Sequence, residues 1–253
     1  MLIIFAAALL PAILLMAFVY NKDTQPEPNR LIAKGFLYGG IATFVSTLFS
    51  GPFMFMGLYT DEPTTFMECI NVSFWGAAIP EECAKLLMLW LLLRRCPEFD
   101  ERFDGIVYGA CIGLGFAAFE NLMYVLGAGM DWLTVSISRA LLAVPGHMAF
   151  GVVMGYYYAV QHFYGEHAPK GTKLKIILVP ILLHGTYDTL AFASGLSSGV
   201  AGLFTIALLC FCYFLFKSTR KKILEEAADN DIRGRIMRNS ALDPYEDNAP
   251  DDQ

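Results

Sequence analysis

The sequence predicts an all-α fold, a polytopic membrane helix bundle of about seven transmembrane helices with its N-terminus outside and its C-terminus cytoplasmic. Three observations predict it. Hydrophobic residues make up 56% of the chain and charged residues only 17%, where a soluble domain carries about a quarter charged. Apolar runs of about 18 residues or more, enough to cross a ~30 Å hydrocarbon core as a helix, recur along the whole sequence. The short segments between those runs alternate between rich and empty in Lys and Arg, the pattern of loops that alternate between cytoplasmic and external faces.

The first run, about residues 3–20, opens Met-Leu-Ile-Ile without a basic n-region, and no persuasive small-residue cleavage site follows before Asn21, so it reads as a retained helix. The second, about 35–57, contains Ser50-Gly51-Pro52, which can end a helix early and leave a re-entrant or interfacial piece. The remaining runs fall at about 69–93, 105–128, 136–159, 174–195 and 199–216. Lys22, Arg30 and Lys34 follow the first run; Arg94, Arg95 and Arg102 follow the third; Lys170, Lys173 and Lys175 follow the fifth; Lys217, Arg220, Lys221 and Lys222 follow the seventh. Segments 58–68, 129–135 and 196–198 contain no Lys or Arg. The count of seven rests on this alternation as much as on hydropathy.

Residues 1–216 therefore read as one transmembrane domain and 217–253 as a cytoplasmic tail, basic and then acidic, with one amphipathic turn near Ile223–Met237. The net charge of −6 reflects acidic crowding between Asp243 and Asp252 and identifies no partner. Cysteines 69, 83, 96, 111, 210 and 212 lie mostly inside the runs without CxxC spacing, so they read as small packing residues rather than a disulfide framework. No nucleic-acid signature is present.

Inside the runs lie Glu81, Glu82, Lys85, Glu120, His147, His184 and Asp188. Each costs about 2.5 kcal/mol or more if it faces lipid as a charge, so they belong on the bundle interior. Glu81, Glu82, His147 and His184 fall within about one residue of their span centres, which at ~1.5 Å rise per residue puts them at the midplane. Glu120 and Asp188 lie roughly 6 Å toward the outer leaflet, and Lys85 about as far toward the cytoplasm. Glu81 and Lys85, like His184 and Asp188, are i,i+4 neighbours on one helix face. Gly109, Gly113 and Gly115, Gly151 four residues after His147, and Gly185 beside His184 remove bulk where another helix must come close.

Two imidazoles and several carboxylates are the nitrogen and oxygen ligands that zinc prefers. In a metal-dependent reading His147 and His184 ligate a divalent ion, zinc by donor type, Asp188 or Glu120 completes the set, and Glu81 or Glu82 is the general base. Lys85 holds one glutamate ionised. In a metal-free reading a glutamate deprotonates water directly while His147, His184 and Asn121 stabilise the oxyanion. A proton-coupled transporter or channel is the rival class, although such proteins show repeated halves, and no internal symmetry is visible. His162 and His167 read as loop residues, and Arg139 as an interfacial anchor beside Trp132.

Four motifs then stand in order on successive runs: Glu81-Glu82-Cys83-Ala84-Lys85 (EExxK), Phe116 to Glu120-Asn121 (FxxxEN), His147 with Gly151 (HxxxG), and His184 with Asp188 (HxxxD). Together they resemble the PrsW family of intramembrane proteases, related to the CAAX prenyl endopeptidases and bacteriocin-processing enzymes, over about residues 69–195. The resemblance implies a multi-pass protease of the bacterial cell (inner) membrane, acting on a single-pass membrane protein such as an anti-sigma factor during envelope-stress signalling. It also implies an active site of Glu81, Glu82, Glu120, His147, His184 and Asp188.

Overall fold

The computed structural model describes residues 2–197 and 199–242. Helix α1 (Leu2–Tyr20) leads through a loop to α2 (Asn29–Phe55), and a second loop leads to α3 (Phe66–Asn71). That helix widens into a π-helical turn (Val72–Ala78) and continues as α4 (Ile79–Leu93). After it come α5 (Arg102–Gly127), α6 (Trp132–Leu141), α7 (Ala143–Tyr164), α8 (Thr172–Ser194) and α9 (Ala201–Leu242). The described residues contain no strand. Six helices or helix pairs are long and apolar enough to span a bilayer, with α6 and α7 counted together. The α3–α4 unit, which carries Glu81, Glu82 and Lys85, accounts for the remaining predicted run. Leu37, Phe44, Leu48, Leu203, Ile206 and Tyr213 point outward from α2 and α9, as surfaces that face lipid do.

Helix α5 is the centre of the bundle, buried along most of its length. Its glycines explain how. A Cβ built on Gly105 would collide with the carbonyl oxygen of Gly155, one on Gly109 with that of Gly151, and one on Gly113 with that of His147. The i,i+4 glycine ladders of α5 and α7 thus let the two backbones touch, as small residues do where lipid supplies no hydrophobic drive for association. On another face Gly115 meets the Phe36 carbonyl, and Gly39 of α2 meets the backbone of Ile112 and Phe116.

The prolines account for the breaks. Pro80 lacks an N–H, and the chain ahead of it takes π geometry, with the Ile79 amide bonding back to Phe74. Pro145 has no amide to offer the Leu141 carbonyl, so the predicted fifth run divides at Leu142 and α7 begins with the proline in its first turn. Pro11 leaves the Ala7 carbonyl without its helical donor, and the Ser136 hydroxyl of α6 donates to it at 3.3 Å.

One expectation changes: Ser50-Gly51-Pro52 does not end α2, which runs on to Phe55. Helix α9 is continuous from Ala201 to Leu242, and Ile223, Glu226 and Asn230 are buried against the bundle. Continuity costs little there, because Lys217 to Ala228 contains no Gly or Pro. The proposed amphipathic turn near Ile223–Met237 is part of that helix. The acidic stretch from Asp243 onward lies outside the described residues.

Candidate active site

The π turn, the α5–α7 glycine contact and Gly185 together assemble one polar centre. Gly185 lets the Phe74 ring of the π turn lie directly on α8, since a Cβ there would overlap it. This brings His184 to the glutamates of α4. The close α5–α7 crossing at Gly113 brings His147 beside Phe116 and Glu120. The rings of His147 and His184 stand 5.1 Å apart at 88°.

Glu82 and Lys85 are fully enclosed. Lys85 Nζ donates to Glu82 Oε1 at 2.7 Å, lies 3.5 Å from Glu81 Oε2, and sits 4.1 Å above the Phe116 ring. The i,i+3 partner is therefore nearer than the expected i,i+4 one. The long aliphatic stem carries the ammonium from a Cα nearer the basic loops into the centre, so depth counted at Cα misplaces the charge. The same Glu82 oxygen accepts from His184 Nδ1 at 2.8 Å. The other face of that ring looks into a cavity, with Nε2 3.1 Å from Asp188 Oδ2 and 3.8 Å from Glu81 Oε2.

Lys85 Nζ also lies 3.0 Å from His147 Nδ1. A lysine ammonium has donors only, so Nδ1 accepts and the ring proton is assigned to Nε2, which donates to Glu120 Oε2 at 2.9 Å. Arg139 Nη2 donates to the same Glu120 oxygen at 2.5 Å, and its guanidinium stacks 4.0 Å from the Tyr124 ring. Asn121 faces away from the cavity. Its Nδ2 donates to the Ala8 carbonyl at 2.8 Å and its Oδ1 accepts from Arg139 Nε at 3.1 Å.

The cavity, about 290 Å³, is lined by Glu81, Glu120, Arg139, His147, His184 and Asp188, with Tyr124, Tyr187 and Phe192 at its apolar margin. Of the eight sequence-predicted residues, five line it: Glu81, Glu120, His147, His184 and Asp188. Glu82, Lys85 and Asn121 support it from behind. Arg139, expected at the interface beside Trp132, is instead part of the site. The signal for it was charge: Glu81, Glu82, Glu120 and Asp188 bring four carboxylates into lipid-buried space against Lys85 alone, and a second cation was owed.

The donor chemistry fits a divalent metal ion. Glu81, His147 and His184 each offer one ligand atom, all within 4.8 Å of one another, and Glu81 Oε2 is buried with no hydrogen-bond partner. Glu82 orients His184 through Nδ1, as carboxylates commonly do behind a ligating imidazole. His147 is less ready, because each of its nitrogens already faces a charged group and ligation would replace the Glu120 contact.

A profile of the PrsW family of intramembrane metalloproteases matches residues 27–216. Among similar relatives, the protease PrsW of Bacillus subtilis (strain 168) is 34% identical over 186 residues, 73% of this chain and 81% of the relative. That of Geobacillus kaustophilus (strain HTA426) is 33% identical over 207 residues, 80% and 86% of the two chains. That of Clostridioides difficile (strain 630) is 33% identical over 188 residues, 73% and 77%. No solved structure matches the chain. The transporter or channel alternative finds no support among these relatives. On the extent of these matches, and with a polar cavity inside a membrane-spanning helical bundle, the chain belongs to the PrsW family of intramembrane metalloproteases and is a peptidase.

Proposed function

We propose that this peptidase hydrolyses a peptide bond in a single-pass, membrane-anchored protein of the anti-sigma-factor kind, in a bacterial cell membrane and in response to envelope stress. The observation that carries the site assignment is the convergence of Glu81, Glu120, His147, His184 and Asp188 on one cavity. Every ionisable lining residue comes from helix portions near the loops that lack Lys and Arg, or from the bundle middle. This supports access from the outer half of the bilayer.

Glu81, His147 and His184 would hold the divalent ion, and mixed nitrogen and oxygen donors suit zinc. Such an ion, when bound, supplies Lewis acidity to a carbonyl and to water. The protein's own groups do the rest. Glu82 takes the hydrogen bond of His184 Nδ1 and aims Nε2 at the cavity, and Lys85 balances the charge of Glu82. Arg139, held by Asn121, keeps its ion pair with Glu120 when His147 exchanges its Glu120 contact for the ion. Asp188 faces the cavity, with His184 its one neighbour within ion-pair distance among the described residues. It takes the proton from the attacking water and returns it to the amine nitrogen as the peptide bond breaks.

One observation favours a second division of roles. The Oε2 of Glu81, which accepts no hydrogen bond, also suits proton abstraction, with Asp188 then joining the two histidines as ligand. Metal content and cleavage of a membrane-anchored substrate by purified protein separate the two. Asp188→Asn that keeps its metal but loses turnover by about 10²–10⁴-fold, together with Glu81→Gln that loses its metal, supports the first. The reverse pattern transfers the base to Glu81. Full activity in Glu81→Gln, Asp188→Asn and His184→Ala together would falsify the site.

A further inference from the structure

A second cluster of buried carboxylates lies at the opposite end of the bundle, beside the basic loops. Asp23 and Glu27 come from the α1–α2 loop, Glu101 from the α4–α5 loop, and Asp104 from the first turn of α5. Asp104 is wholly enclosed, and Asp23 and Glu27 nearly so, at 8% and 4% exposure. Asp23, Glu101 and Asp104 each present an oxygen within 4.8 Å of the others.

The hydrogen bonds that reach this cluster leave a gap in its middle. Asp104 Oδ2 accepts from the Asp100 and Glu101 amides at 3.0 and 2.8 Å, while its Oδ1 is buried without a partner. Asp23 Oδ1 accepts from the Gln25 amide at 2.9 Å, while its Oδ2 is likewise buried and unpartnered. Glu101 accepts from Gln25 Nε2 at 2.7 Å and from Asn230 Nδ2 of α9 at 2.5 Å. The Tyr108 hydroxyl donates to Glu27. Among the described residues no Lys or Arg pairs with any of the four carboxylates. The nearby Arg102 is turned to Glu226 and Asp229, and Arg30 to Glu98.

Orphaned oxygens on nine-tenths-buried acids, converging without a cation, are costly unless something positive is shared between them. We propose that Asp23, Glu101 and Asp104, with Glu27 behind them, form a binding site for a hard divalent cation, Mg²⁺ or Ca²⁺, separate from the active site. The all-oxygen donor set selects hard ions over zinc, and waters would complete six or more ligands. Burial pushes the carboxyls of Asp23, Glu27 and Glu101 above their usual range, which marks the same uncompensated charge. A cation here would tie the α1–α2 loop to the start of α5 and, through the Glu101–Asn230 bond, to the extension of α9.

The test is equilibrium dialysis of the full chain in detergent, stripped with EDTA and reloaded with one equivalent of Zn²⁺, against Mg²⁺ and against Ca²⁺. One further equivalent of either ion taken up by the native chain, and lost in Asp23→Asn/Asp104→Asn, is the expected result. That double variant removes like charges, so it should fold without the ion. Glu101→Gln, at a less buried position, provides a second reading, with binding weakened at least about tenfold. No uptake of either ion at millimolar concentration, or uptake unchanged in both variants, overturns the proposal.

Discussion

Gly113 tests whether the α5–α7 contact sets the geometry of the site. A Cβ at Gly113 would lie well under 3.0 Å from the His147 carbonyl oxygen, and neither atom belongs to a flexible side chain. Restoring ordinary contact of about 3.4 Å requires the helices to separate locally by about 1 Å. Alanine gains about 1 kcal/mol over glycine in helix propensity, while overpacking costs about 1–3 kcal/mol, so Gly113→Ala should lose no more than about 2 kcal/mol of stability. Catalysis is more sensitive, because a displacement of about 1 Å at a catalytic group costs about 10²-fold in rate. Gly105→Ala meets the Gly155 carbonyl at the same crossing, but eight residues from Gly113, about 12 Å along the helix. It should cost similar stability and far less activity. Gly51→Ala, where no atom lies within 4 Å, should leave activity unchanged. Cleavage of a membrane-anchored substrate and thermal unfolding, both in one detergent, read the series. Wild-type turnover in Gly113→Ala, or equal loss in Gly105→Ala, would refute the reasoning.

Two further substitutions probe the groups behind the cavity. Glu82→Gln leaves the enclosed Lys85 ammonium with its main counter-charge gone, and breaking a buried pair of this kind costs about 3–5 kcal/mol. Unfolding at clearly lower temperature in the variant is expected, and Lys85→Met in the same background should recover part of the loss by removing the stranded charge. Arg139→Gln removes the guanidinium from Glu120 and from the Tyr124 ring. It should lower kcat by about 10–100-fold while leaving metal content near the native value; a variant with native kcat would return Arg139 to the role of interfacial anchor.

Much of this protein is legible in one dimension because lipid imposes a simple rule. A helix that crosses the bilayer must be apolar over about 20 residues, so the runs declare themselves, and a charge within a run must turn inward. Glu81, Glu120, His147, His184 and Asp188 are therefore visible as a group in the sequence itself, as is the glycine spacing at Gly109 and Gly113. The breaks at Pro80 and Pro145 did not show in the hydropathy of the runs, because both prolines lie inside unbroken apolar stretches where neighbouring helices can re-satisfy the backbone.

Tertiary structure alone decided where each acid sits. Glu81 and Glu82 are adjacent in sequence and alike in chemistry, but one lines the cavity and the other is sealed against Lys85 and His184, because the π turn and the Phe74–Gly185 contact set the rotation of α4 against α8. Arg139 and Asn121 sit where they do for a related reason: Asn121 reaches the Ala8 carbonyl of α1 and the guanidinium of α6, two helices distant in sequence. Periodicity reports which face of a helix is buried, and only the packing of several helices reports what that face touches.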